Sequence, residues 1–214
     1  DGKTTTTTLI SEFLAHAGFR VHKGGNIGRA LLPIIEDIRE EDVAVVELSS
    51  FQLLSMRQSP DVAVITNIAP NHLDVHGTME EYIYAKTNIL AHQDAFSRTI
   101  LNLDNEPTMN LASMVRGTLT TFSRRQKPEF GTYLREDGML CFTKDGVDTP
   151  VVQKDDIRIP GMHNVENYLA AINAVWETVS VEDIQYVAKN FGGVEHRIEF
   201  VRELNGVKWY NDSI

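Results

Sequence analysis

The chain has 214 residues, 42% of them hydrophobic, and a formal net charge of −10. That acidic balance excludes a general nucleic-acid binder, whose electrostatic footprint is basic, and no apolar run is long enough to cross a bilayer. A single cysteine, Cys141, rules out an intrachain disulfide and suits a reducing, cytoplasmic setting, and the length allows one α/β domain or a domain plus part of a neighbour.

The chain opens on Asp1-Gly2-Lys3-Thr4-Thr5. A Gly-Lys-Thr triplet entering a helix is the core of a phosphate-binding loop. The glycine lets backbone approach an anion, the helix N-terminus offers unpaired N–H groups, and the lysine adds positive charge. The first threonine hydroxyl is placed to reach a magnesium ion. Leu9, Ile10, Phe13 and Leu14 recur at helical spacing, and Gly18 is a stop signal. Alone, the triplet also reads as a solvated helix start.

Arg20-Val21-His22 reads as a short strand and Gly24-Gly25-Asn26-Ile27-Gly28 as a glycine-rich turn. Leu31, Leu32, Ile35 and Ile38 mark an amphipathic helix with Pro33 in its first turn. Val43-Ala44-Val45-Val46 and Val62-Ala63-Val64-Ile65 are runs of the kind buried on both faces of a parallel sheet. They end in Glu47 and in Thr66-Asn67; similar runs at 99–103 and 119–122 follow, the first ending in Asp104. Helical segments over 51–56, 79–92 and 108–115 fall between them. Such alternation predicts a mostly parallel sheet flanked by helices, with a ligand at the carboxyl ends of the strands.

Between 130 and 159 the texture changes, and Asp137-Gly138 and Asp145-Gly146 separate short alternating runs. A small antiparallel patch is expected there. Pro160-Gly161 precedes a helix whose packing face is Ala170, Ala171, Ala174 and Val175. Ser180, with Asp183 three residues on, caps another helix that ends at Gly192-Gly193. A hairpin turning at Asn205-Gly206 closes the chain. The expected fold is therefore α/β, of the phosphate-binding-loop type. Residues 1–193 would form one domain and 194–214 the first hairpin of the next. Both ends read as cut, the first inside a loop that ordinarily follows a buried strand, so a segment of a longer protein is expected.

Several residues could carry chemistry. A carboxylate such as Glu47 at the end of a buried strand is costly unless it meets a cation, although it could also cap a helix. Asn71-His72-Leu73-Asp74 lies just past a strand with His76 close behind, and the two histidines lack a third zinc ligand. Lys86, among Tyr82, Ile83, Ile89 and Leu90, reads by itself as a solvated helix lysine. Asn164 and Asn167 stand one turn apart on one helix face, where they could meet a base edge or simply cap. His196-Arg197 and Asp212 fall beyond the domain boundary.

In order along nearly the whole chain stand Gly-Lys-Thr-Thr (2–5), Gly-Asn-Ile-Gly (25–28), Glu-Leu-Ser-Ser-Phe-Gln-Leu (47–53), Thr-Asn-Ile-x-Pro-x-His-Leu-Asp (66–74) and Tyr-x-x-Ala-Lys (82–86). His-Asn-x-x-Asn (163–167), Glu-His-Arg-Ile-Glu (195–199) and Tyr-Asn-Asp-Ser (210–213) follow. Together they resemble the Mur ligases. The resemblance implies the central, ATP-binding part of a three-domain, cytoplasmic bacterial enzyme, a monomer when full-length, that forms an amide bond in peptidoglycan (cell-wall) precursor synthesis. The stretch at 47–53 is similar to the branch that adds D-glutamate to UDP-N-acetylmuramoyl-L-alanine, so those two substrates are the implied partners. By the same resemblance Lys3, with Gly2, Thr4 and Thr5, holds ATP phosphates, and Thr4 and Glu47 bind magnesium. His72 binds a second magnesium, and Lys86 is carbamylated to supply a carboxylate beside it. Lys3, His72 and Lys86 are thus the implied catalytic residues. Asn26, Ser49 and Gln52 match contacts to the muramoyl substrate, and Asn164, Asn167, Arg197 and Asp212 match residues around the nucleotide.

The sequence departs from the family pattern at Asn71, where many members carry Asp, and at Ile214, where many carry lysine. The residues alone support a magnesium–nucleotide site on a parallel sheet; the ligase reaction and its substrates come only from the resemblance. Another Mur ligase, a nucleotide-binding module without catalysis and a kinase are the competing readings.

Overall fold

Short runs rich in β-branched residues build the sheets. The computed structural model describes residues 1–70, 77–194 and 199–211. In it β3 (Val62–Ile65), β4 (Arg98–Asn102), β5 (Thr118–Ser123) and β6 (Gly131–Leu134) pair in parallel in that order. β7 (Met139–Lys144) and β8 (Val147–Gln153) continue the same sheet antiparallel. The small antiparallel patch expected over this stretch is present and extends the parallel sheet, because β6 pairs with β5 on one side and β7 on the other. The change of direction follows the connections. A tight turn at Asp145 (φ 52) and Gly146 (φ 79) can join only antiparallel neighbours, whereas β3 and β4 are linked by a helical crossover, α3 (Met79–Ala91).

β1 (Val21–Gly25) and β2 (Val43–Glu47) form a second, two-stranded parallel sheet. Among the described residues no ladder joins β2 to β3. Between them runs a groove of about 540 Å³ lined by Val45 of β2, Val64 of β3 and Ile10 and Leu14 of α1 (Lys3–His16). Helix α1 packs its other side on α5 (Met162–Val175). Leu9 and Phe13 are fully buried there, and Phe13 meets Tyr168 edge-to-face at 6.0 Å. Each such side chain contributes about 1.5–3 kcal/mol. Ala170, Ala171 and Ala174 supply the small packing face expected of α5. α6 (Val181–Asn190) follows, with the Ser180 hydroxyl accepting from the Asp183 amide at 3.1 Å.

The two apolar clusters lie on opposite faces of the main sheet. Ile100 belongs to the cluster under α1 and α5, while its neighbour Leu101 joins Ala63, Ile65, Tyr82 and Leu90 under α3. Cys141 is a buried free thiol. The last hairpin, β9 (Glu199–Leu204) and β10 (Val207–Asn211), turns at Asn205-Gly206 as its sequence predicts. No helix among the described residues is long and apolar enough to cross a membrane.

Four local expectations are corrected. Residues 32–37 form a 3₁₀ helix with nothing buried, and Leu32 and Ile35 are 77% and 60% exposed. Among the described residues no layer packs against that periodicity. β2 is buried on one face only, since Ala44 and Val46 are exposed while Val45 and Glu47 are not. The helix expected over 108–115 is two short pieces, α4 (Glu106–Met109) and a 3₁₀ turn at Ala112–Met114. Gly24 and Gly25 end β1 instead of forming a turn.

Gly131 opens β6 at φ 141, and a Cβ there would lie 1.8 Å from the Thr121 carbonyl oxygen of β5. Backbone on both sides cannot yield, so Gly131→Ala should cost more than about 3 kcal/mol in urea unfolding. Gly146→Ala, with φ 79 but nothing within 4 Å, should cost only the left-handed strain of about 1–2 kcal/mol.

Candidate active site

Gly2 takes a left-handed conformation (φ 77) as N-cap of α1 and offers no side-chain acceptor to the first turn. The N–H groups of that turn are thus free to face an anion. Asp1 is tied to the end of β3, its carbonyl accepting from Thr66 Oγ1 (2.8 Å) and Asn67 Nδ2 (3.0 Å). This places Lys3 and the loop at the carboxyl edge of the sheets. Thr4, Thr6, Thr7 and Thr8 are all buried, so the poor helix formers of the threonine run are retained for their contacts. The most consequential is Thr4 Oγ1, which donates to Glu47 Oε2 at 2.7 Å.

Glu47 ends β2 and is 3% exposed. Its other oxygen accepts from Asn26 Nδ2 at 3.0 Å. A buried carboxylate needs such partners, and these two are neutral, leaving its charge for the positive end of α1 and any bound cation. Among the described residues no group of three or more His, Cys, Asp and Glu could hold a metal. Thr4 and Glu47 nevertheless fit magnesium, which takes one or two protein oxygens and completes its shell with phosphate and water.

Ser49 and Gln52 close a capping box on α2 (Ser50–Leu54). Gln52 Oε1 accepts from the Ser49 amide (2.9 Å) and hydroxyl (3.0 Å), so both side chains already shape the turn. Lys3, Asn26, Ser49, Tyr82 and Lys86 line one cavity of about 270 Å³. Gln52 is not among its lining residues.

Lys86 is not the solvated lysine that its sequence context alone suggests. It is half-buried on α3, with its ammonium 4.7 Å from the centre of the Tyr82 ring. Burial, and then the charge of Lys3, lower its pKa from 10.5 to about 8. Two lysines thus influence one small cavity.

Asn164 and Asn167 come together at the start of α5, joined by an Asn167 Nδ2 to Asn164 Oδ1 bond of 3.2 Å. Asn167 leans on the phosphate loop. Its Oδ1 accepts from Thr6 Oγ1 at 3.4 Å and lies 2.3 Å from where a Cβ on Gly2 would be, so Gly2 is needed for this approach. Thr5 sits half-buried in the same turn of α1. His72, Arg197 and Asp212, with Asn71, His76 and Ile214, lie outside the described residues.

Strand-end reasoning singled out Asp104, whose carboxylate holds the chain after β5 by accepting from Ser123 Oγ and the Arg124 amide, each at 2.7 Å. It passed over Asn102, the last residue of β4, which donates to the Thr66 carbonyl (2.8 Å) and to Glu166 Oε1 (2.7 Å). The strand-end rule could have found Asn102. Glu166 has no such signal, since it fills an unspecified position of His-Asn-x-x-Asn.

A glycine–lysine–threonine loop at the carboxyl edge of a parallel sheet, with a strand-end carboxylate bonded to the threonine, defines a phosphate-binding-loop α/β domain. Within that class the chain belongs to the Mur ligase family, because the model of the Mur ligase middle domain matches residues 1–175. Over its whole length it is 53% identical to the UDP-N-acetylmuramoylalanine–D-glutamate ligase of Acetivibrio thermocellus, 46% of which it covers. The chain therefore spans about half the length of the curated relatives it matches. The fold is also that of MurF from Acinetobacter baumannii (TM-score 0.76, 19% identity, 100% of this chain and 49% of that one). MurF from Thermotoga maritima in complex with ADP is likewise similar (TM-score 0.69, 22% identity, 100% and 51%).

Lowering the Lys86 pKa from 10.5 to about 8 means the unfolded chain binds the extra proton between those values. Stability should then rise with pH across that window. Urea midpoints from pH 7 to 11 should show the rise in the native protein and a smaller one in Lys86→Met. NMR titration of the lysine side chain should give a midpoint near 8 that moves upward in Lys3→Ala, where the repelling charge is gone.

Proposed function

We propose that the chain is the central, nucleotide-binding part of an ATP-dependent ligase that joins D-glutamate to UDP-N-acetylmuramoyl-L-alanine in the cytoplasm of a bacterium. The printed name of the Acetivibrio relative supports the substrates, and the ADP complex of the Thermotoga relative supports an adenine nucleotide. The observation that carries the reading is the Thr4–Glu47–Asn26 cluster beside the α1 N-terminus, in contact with the cavity that Lys3 and Lys86 line.

A carboxylate is a poor electrophile, so the substrate's L-alanyl carboxylate takes the γ-phosphoryl group of ATP and becomes an acyl phosphate. Lys3 and the N–H groups of the α1 first turn hold the phosphates in line and stabilise the charge that develops on them. Thr4 and Glu47 would hold magnesium, which when bound neutralises phosphate charge. The D-glutamate amine then adds to the acyl carbon, loses a proton, and inorganic phosphate departs with the electron pair of the broken C–O bond. Asn26, Ser49 and Gln52 orient the muramoyl end, while Asn164 and Asn167, with Arg197 and Asp212, serve the nucleotide.

Lys86 takes part as a carbamate. A pKa of about 8 leaves far more neutral amine near neutrality than an ordinary lysine has. That amine adds carbon dioxide and gives up a proton, so that what would otherwise be a cation repelled by Lys3 becomes an anion attracted to it; with His72 that carbamate would hold a second magnesium, which when bound would neutralise negative charge there. Residues 1–193 form the central domain and 194–214 begin the next.

In the intact protein, amide formation should require ATP and magnesium, and ATP-independent product would overturn the reading. Lys3→Ala should lose most turnover while stability stays within about 0.5 kcal/mol. Lys86→Arg keeps length and charge but cannot form a carbamate, so its rate should fall at least about 100-fold, the scale of losing one transition-state electrostatic contact. Lys86→Ala should be partly rescued by a short carboxylate added to the buffer. An active Lys86→Arg would eliminate the carbamate and leave the rest of the reading intact.

A further inference from the structure

Glu166 has no role in the chemistry above, yet its carboxylate is a junction of three elements. Oε1 accepts from Asn102 Nδ2 at the end of β4 (2.7 Å), and Oε2 lies 2.7 Å from Arg124 Nε just after β5. Both charged side chains are partly buried, at 21% and 29% exposed. Asn102 is 2% exposed and its amide also donates to the Thr66 carbonyl, while the Thr66 hydroxyl donates to the carbonyl of Asp1. A continuous path thus runs from Arg124 through Glu166, Asn102 and Thr66 into the phosphate loop.

The next residue on α5 reaches that loop from the other side. Asn167 touches Gly2 and Thr6, and Asn164 braces Asn167 while its own Nδ2 donates to the Pro160 carbonyl at 2.6 Å. The start of α5 is therefore held between the strand ends, through Glu166, and the phosphate loop, through Asn167. An exposed Arg–Glu pair contributes little on its own. This one differs because its carboxylate is also an acceptor for a buried amide and sets the height of a helix terminus over the loop.

We infer that Glu166 is a positioning residue for the nucleotide, acting through Asn102 and Asn167 without touching the ligand. The inference rests on the nucleotide-binding reading of the site. Removing the carboxylate frees the helix start to shift, and small misplacements of binding groups are costly.

The test uses the intact protein with ATP in turnover and ADP in calorimetry. Glu166→Ala should raise KM for ATP and Kd for ADP about tenfold while kcat stays within about twofold, the size of losing one charge-assisted hydrogen bond. KM for the other two substrates should not move. Glu166→Gln keeps an acceptor for Asn102 and should recover most of the affinity. Arg124→Ala should shift the same constants in the same direction, and the double variant should be no worse than Glu166→Ala alone. Arg124→Ala leaves Asn102 paired, so it carries the test if Glu166→Ala does not fold. A Glu166→Ala protein that only melts earlier, with both nucleotide constants unchanged, overturns the inference. Native protein that binds ADP but makes no amide overturns the ligase reading and leaves this inference to the ADP measurement; native protein that binds no ADP overturns both.

Discussion

The hydrogen bond from Thr4 to Glu47 is the contact on which the rest of the architecture depends. β2 and β3 share no ladder among the described residues, so the two sheets are joined through helices: α1 runs along the groove with its first turn bonded to the end of β2, and α2 packs on α3, with Asn88 Nδ2 donating to the Leu53 carbonyl. The Thr4–Glu47 bond fixes where the phosphate loop stands relative to Asn26 and the capped turn of α2. Among the described residues that buried carboxylate is bonded by two neutral side chains, Thr4 and Asn26, beside a helix terminus that attracts anions.

That combination explains how an acidic chain can hold a highly charged ligand. The net charge of −10 is screened within about 8 Å in physiological salt. The charges that matter for the phosphates are nearer and less screened. Lys3 lines the small cavity at the start of α1, and burial first, then the charge of Lys3, lower the pKa of Lys86, so that cavity disfavours a second cation.

Much of the sheet was legible because its signals are local. Short β-branched runs mark strands, and Asn205-Gly206 and Asp145-Gly146 mark turns whatever surrounds them. Readings that needed a partner layer fared worse. The periodicity of Leu32 and Ile35 predicts a helix face, but no layer among the described residues covers it. The Lys86 context predicts a solvated amine, because the cavity that buries it and the charge of Lys3 come from chain segments far apart in sequence, and the nearby Tyr82 does not by itself reveal them. Strand-end logic found Glu47 and Asp104, yet only Glu47 faces the loop, while Asp104 braces the turn after β5. Glu166 was invisible because its meaning comes from Asn102, 64 residues away.

The outermost strand of the large sheet has a consequence for how copies of the molecule can meet. β8 carries Pro150, exposed and opposite Cys141, where the register shifts beside Leu140. Proline brings no N–H to a ladder, and a bulge twists an edge away from flatness. A neighbouring chain searching for a strand to extend finds a broken template there. The sheet thus carries, at Pro150 and the adjacent register shift, a local protection against edge-to-edge growth.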